Sequence, residues 1–114
     1  VINKCRENNI SAVSCVTDEV AIGFIDYCAD NGINVPEDIS VAGFGDKSIA
    51  NIYRPNLTTV SIPYYDVGAI AVRALIKRIR GEEEILSEDW FLDCTIKDRE
   101  SAKSIRWKFV KNTV

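Results

Sequence analysis

Two short apolar runs on either side of one amphipathic stretch constrain this chain more than any other feature of its sequence. Ser11–Val16 (SAVSCV) is apolar on both sides of its alternation apart from Ser14, and Ile39–Phe44 (ISVAGF) is a second run of the same kind. Such runs mark strands covered on both faces in a parallel sheet. Between them Ala21, Phe24, Ile25, Cys28 and Ala29 recur at steps of three and four, which makes one buried helical stripe. Thr17 is placed to cap that helix, Asp18 and Glu19 complement the positive end of its dipole, and Gly32 follows Asp30 and Asn31 as a left-handed terminator. Strand, helix and strand make a βαβ unit, which crosses right-handed and binds ligands beyond the carboxyl ends of its strands. Those ends are Val16-Thr17-Asp18 and Phe44-Gly45-Asp46.

The remaining segments extend this unit. Val1–Asn8 reads as the end of a helix that starts upstream, closed by Asn8 and Asn9. Asn34–Asp38 is a turn built on Pro36, Lys47–Ile52 a short helix ended by Pro55, and Leu57–Ile62 a β-branched third strand. A second long helix follows, with Pro63 at or near its first position and Asp66 in its first turn. Val67, Ile70, Ala71, Ala74, Leu75 and Ile79 form its apolar face, and Lys77, Arg78, Arg80 and Gly81 stand at its exit. Trp90–Ile96 is predicted as a strand, Lys97–Lys103 as a polar connection and Ser104–Val110 as an edge strand or ordered tail. The fold class is therefore α/β, a parallel sheet with flanking helices, in a single domain over residues 1–114.

Composition removes several function classes. With 114 residues, 46% hydrophobic and 27% charged, the chain matches one ordinary globular domain. Histidine is absent, which removes the Ser-His-Asp and Cys-His dyads, the usual imidazole base and most mixed zinc sites. A net charge of -3 leaves no basic surplus for gripping phosphates, so the chain alone is a poor nucleic-acid binder. Cys5, Cys15, Cys28 and Cys94 contain no C-x-x-C pair, and free buried thiols in a reducing cytoplasm are expected. The apolar stretches are far shorter than the ~20 residues a membrane helix needs. No cofactor, metal or membrane partner is implied.

Three carboxylates and two tyrosines stand near the strand ends. Asp18 and Asp46 could do acid-base work if their environments drove their pKa values apart. Asp18 could instead cap its helix while touching a ligand, and Asp46 could bind its own loop or cap the short helix after it. Asp66 complements the helix dipole. Tyr64 and Tyr65 follow the third strand, where a ring can stack on a sugar or base or pack in the core. Gly43-x-Gly45 is too short for a dinucleotide fingerprint.

The strings Val16-Thr17-Asp18-Glu19-Val20-Ala21-Ile22-Gly23, Val35-Pro36-Glu37-Asp38-Ile39-Ser40-Val41-Ala42-Gly43-Phe44-Gly45-Asp46 and Arg54-Pro55-Asn56-Leu57-Thr58-Thr59-Val60 resemble the C-terminal part of lactose-repressor-type transcriptional regulators. The resemblance runs from about Ala12 to Arg99 and corresponds to roughly the last third of a family member. It implies a periplasmic-binding-protein-like lobe, part of a two-lobe core with a small effector in the cleft. It also implies that the chain crosses between lobes near Val60–Ile62, that the helix within residues 63–81 belongs to the other lobe, and that the chain returns near Trp90. Thr17 matches the position of an effector-binding asparagine in many members, Asp18 the aspartate after it, and Gly45 a hydroxyl-binding aspartate. Asp46 matches the residue following that aspartate, and Ile62 and Tyr64 match cleft positions. Thr17 and Gly45 depart from the family pattern, so neither a common disaccharide nor a galactoside ligand is implied.

The expected function is effector binding and dimerisation in a cytoplasmic transcriptional regulator, a repressor, with Thr17, Asp18, Asp46 and Tyr64 contacting a small sugar or related metabolite. Operator DNA would be reached only through an N-terminal domain that this chain lacks. The alternative is a sugar-binding transporter component of the same lobe fold, and no enzyme activity is expected. Val20, Ile22 and Tyr27 widen the apolar stripe of the first long helix beyond one face, and Ile49, Ile52 and Tyr53 also need cover. A homodimer or swapped oligomer follows, and the resemblance points to Ile22 and Tyr53 as interface residues.

Overall fold

The structure is a computed structural model that describes residues 2–82 and 91–104. A short helix α1 (Ile2–Glu7) leads through Asn9, at φ 52°, into strand β1 (Ala12–Ser14). Helix α2 (Asp18–Asp30) crosses to strand β2 (Ser40–Gly45), which lies parallel to β1 with Val13 opposite Val41. Both ends of α2 are closed as the sequence predicts. Thr17 Oγ1 accepts from the Val20 amide at 3.3 Å. At the other end Gly32, at φ 67°, donates to the Ala29 carbonyl at 3.0 Å while Ile33 donates to that of Cys28 at 2.9 Å, the paired bonds of a Schellman terminator.

Helix α3 (Ser48–Ile52) and strand β3 (Thr58–Ser61) follow, β3 parallel to β2 with Phe44 opposite Val60. The buried stripe of α2, Ala21 and Ile25, packs with Val41, Ala50 and Leu57, and Cys28 packs with Ile39. The core therefore sits between α2 and one face of the sheet. Helix α4 (Tyr64–Ile79) starts after Pro63 and carries no buried residue along its length.

Strand β4 (Thr95–Lys97) closes the sheet in the order β1-β2-β3-β4 and runs antiparallel to β3. The sheet is thus mixed, with three parallel strands and one returning. The expected strand at Trp90–Ile96 is shorter and shifted: Phe91–Cys94 lies outside any strand, and Trp90 lies outside the described residues. Residues 105–110 of the expected edge strand lie outside them too.

The polar connection after β4 is held against the core. The fully buried Ser101 donates from Oγ to the Val41 carbonyl at 2.6 Å and accepts from the Thr58 amide at 2.8 Å. Its carbonyl also accepts from the Val41 amide at 2.8 Å. All four cysteines are free; Cys28 is buried and Cys5 and Cys15 half-buried, whereas Cys94 is exposed, against the expectation for it. Burial pushes the thiols of Cys15 and Cys28 up from their ordinary pKa.

Candidate functional site

At the loop that leaves β2, charged side chains, a helix start and the start of α4 meet. Asp18, at the first turn of α2, has no exposed surface. Its Oδ2 accepts from the Lys47 amide at 2.6 Å and its Oδ1 accepts from Thr59 Oγ1 at 2.5 Å. One carboxylate therefore ties α2, the loop after β2, and β3. The close approach is possible because residue 43 is glycine: a Cβ there would overlap Asp18 Oδ1 and stand 2.8 Å from Leu57 Cδ2.

Asp46 follows in the left-handed region at φ 53°, a conformation that aspartate tolerates better than most residues. Its Oδ1 accepts from Arg99 Nη2 at 2.6 Å, with the two side chains only 16% and 14% exposed respectively. The Arg99 guanidinium, aided by Ser61, holds the Asp46 carboxyl below the ordinary range against the opposing effect of burial. Arg99 also donates from Nη1 to the Leu57 carbonyl at 2.8 Å and from its amide to Thr58 Oγ1 at 2.9 Å. At the surface Lys47 Nζ pairs with Glu19 Oε1 at 2.5 Å, an exposed contact that solvent screens.

These groups border a cavity of about 530 Å³ lined by Glu19, Gly45, Asp46, Lys47, Ile49 and Tyr64, among others. Tyr64 is exposed, and its hydroxyl stands 3.4 Å from where a Cβ on Gly45 would lie. The first residue of α4 thus faces the loop after β2 across this opening. A cavity of about 580 Å³ lies elsewhere, lined by Cys5, Ile10, Phe24, Cys28, Ile33 and Ile39 among others. Asn9, Ser11 and Asp38 also line it, but with Ile10 and Ser11 before β1 and Ile39 before β2 it sits at the opposite end of the sheet from the strand carboxyl ends.

The residues singled out from sequence separate accordingly. Asp46 and Tyr64 line one opening. Thr17 is half-buried and serves as the α2 cap. Asp18 lies beneath the wall, its carboxylate engaged in bonds that sequence reasoning did not foresee. Asp18 and Asp46 do not form an open acid-base pair, since one is enclosed and the other ion-paired. Lys47, Thr59 and Arg99 were not foreseen as site residues. Their partners lie 29, 41 and 53 residues away in the chain, and no local spacing signals such contacts. Among the described residues no group of three or more metal-ligating side chains occurs, and no helix is long and apolar enough to cross a membrane.

Ile22 and Tyr53, named for the subunit contact, are both half-buried against the core. The Tyr53 hydroxyl donates to Asp26 Oδ1, which pushes the phenol up to about 12. On α2 and α3 the exposed large apolar side chains are Val20, Tyr27, Ile49 and Ile52.

Comparison with known proteins fits this geometry. Residues 3–102 match the family of the periplasmic binding protein-like domain. The HTH-type transcriptional regulator RegA of Clostridium acetobutylicum is 41% identical over 99 residues, which cover 86% of this chain and 29% of that protein. The crystal structure of the transcription regulator CcpA of Lactococcus lactis superposes with a TM-score of 0.78 at 32% identity, covering 89% of this chain and 37% of that one. A LacI family transcriptional regulator from Lactobacillus casei, solved with bound sucrose, gives 0.67 at 35% identity over 80% of this chain and 33% of its own. The chain thus spans less than two fifths of each of these relatives. It belongs to the periplasmic binding protein-like domain family, in the form carried by lactose-repressor-type transcriptional regulators.

Proposed function

We propose that this chain supplies one wall of an effector site in a cytoplasmic transcriptional repressor. The observation that carries this reading is the opening between the ion-paired loop after β2 and Tyr64 at the start of α4. It lies at the carboxyl ends of parallel strands, where α/β sheets bind ligands, and at the point where the chain leaves for α4. Tyr64 offers an exposed ring for stacking and a hydroxyl for hydrogen bonding. Asp46 offers a carboxylate for a polyol or nucleobase-like effector. Thr17 supports the site by capping α2, and Asp18 acts by holding the loop.

Helix α4 then belongs to the second lobe, which explains why it buries nothing here. An effector that contacts both sides of the opening binds the closed arrangement of lobes better than the open one. It shifts the population by that difference, and with it the spacing of the DNA-binding heads in a dimer. Operator DNA is reached through those heads, since this chain carries a net charge of -3.

Calorimetry on the complete regulator against sucrose, monosaccharides, sugar phosphates and nucleobases tests the site. Tyr64→Ala and Asp46→Ala are each expected to lose roughly 10-fold in affinity, about 1.4 kcal/mol. Unchanged affinity in both variants removes this opening from the effector site.

A further inference from the structure

We infer that Arg99 is a positioning residue for the effector wall, holding the loop after β2 in its binding geometry from a place behind it. The inference rests on the effector reading above and adds to it a residue that would not touch the effector. The loop needs such support. Asp46 sits at φ 53° without being glycine, and Gly45 before it at φ 123°. Backbone of this kind persists only where its surroundings over-determine it.

Two clamps do so. On one side the Lys47 amide is bound by the enclosed Asp18 carboxylate at 2.6 Å. On the other the Asp46 carboxylate is bound by Arg99 at 2.6 Å. Arg99 is itself fixed by two further bonds to the start of β3, through the Leu57 carbonyl and Thr58 Oγ1. The guanidinium fork matters here, because one planar group serves a carboxylate and a carbonyl at once, which an ammonium cannot do in fixed geometry. Arg99 also follows β4, the strand on which the chain returns after α4. It therefore links the return crossing to the effector wall.

A double-mutant cycle in the complete regulator tests this, read by calorimetry with whichever probe of the panel binds. Arg99→Gln is expected to weaken binding roughly 10-fold, and Arg99→Gln combined with Asp46→Ala to lose no more than Asp46→Ala alone. Arg99→Lys, which keeps the charge, is expected to recover part of the loss; where Arg99→Gln does not fold, Arg99→Lys takes its place in the cycle. Amide exchange adds a readout free of ligand: the Lys47 amide is expected to exchange faster in the Arg99 variant while that of Val41 is unchanged. Additive losses overturn the inference, as does an unchanged Lys47 amide. So does full affinity in the Arg99 variant while Asp46→Ala is weakened, an outcome that leaves the effector reading standing. Full affinity in Asp46→Ala and Tyr64→Ala, or no binding by any probe, overturns the effector reading and this inference with it.

Discussion

At the scale of single residues, two glycines separate what packing demands from what the backbone merely permits. Gly43 is buried, and a Cβ there would meet Asp18 Oδ1 and Leu57 Cδ2 inside the usual contact distance. The neighbours cannot give, because the Asp18 carboxylate is held by Lys47 and Thr59. Gly43→Ala is therefore expected to destabilise the chain by about 1–3 kcal/mol, the usual cost of overpacking. Gly23 lies within α2 with nothing inside 4 Å of a Cβ, so Gly23→Ala is expected to stabilise by roughly 0.5–1 kcal/mol through helix propensity alone. Urea denaturation of the two variants beside the parent checks both signs. A Gly43→Ala midpoint equal to the parent's would show that Asp18 is not locked. The sequence displays Gly43 only as half of a Gly-x-Gly pair and Asp18 only as a residue of a helix start. That the two touch depends on the register of β2 against α2, which no local pattern encodes.

Elements were legible in proportion to how local their signals are. The N-cap at Thr17 and the terminator at Gly32 could be read because each is set by residues within one or two turns, and the βαβ order because each of its three segments carries its own apolar pattern. The strand after α4 was displaced, since Phe91–Cys94 has apolar residues but no ladder partner, and only Thr95–Lys97 pairs with β3. The segment Lys97–Lys103, expected as a polar connection, is also bound to the sheet. Its polar groups serve the sheet: Ser101 Oγ bonds both the Val41 carbonyl and the Thr58 amide, and the Asn56 carbonyl accepts from the Glu100 and Ser101 amides at 3.0 Å. Ser101→Ala leaves a buried amide and a buried carbonyl each short of a partner, so a loss of about 1–3 kcal/mol is expected in denaturant unfolding. Ser101→Ala as stable as the parent would mean that water replaces the hydroxyl, and the segment would be a loose tail after all.

For the whole molecule, the decisive feature among the described residues is the apolar surface left open along α4 and over α2 and α3. Along α4, Val72, Leu75, Ile76 and Ile79 fall on one face and are all exposed, Ile79 at 75%. Over α2 and α3, Val20, Ile49 and Ile52 are exposed beside the half-buried Ile22 and Tyr53. Patches of this size are uncommon on monomers. Full burial of each large side chain yields roughly 1.5–3 kcal/mol, so one α4 face against another is on the scale of the ~4–15 kcal/mol lost on association. The 114-residue chain is therefore expected to form a dimer or exchanged oligomer through α4 at micromolar concentration. If α4 is covered by a second lobe, as proposed above, the complete regulator is expected to dimerise through the α2–α3 face instead. Light scattering separates the two contacts: Leu75→Glu with Ile79→Glu should return the 114-residue chain to monomer, whereas Val20→Glu with Ile52→Glu should dissociate the complete regulator. Ile22→Glu and Tyr53→Glu would also weaken that dimer, but both side chains support the core, so only exposed positions isolate the contact. A 114-residue chain that stays monomeric at every concentration would show that the α4 face does not associate. A complete regulator whose mass ignores Val20→Glu and Ile52→Glu would place its subunit contact elsewhere.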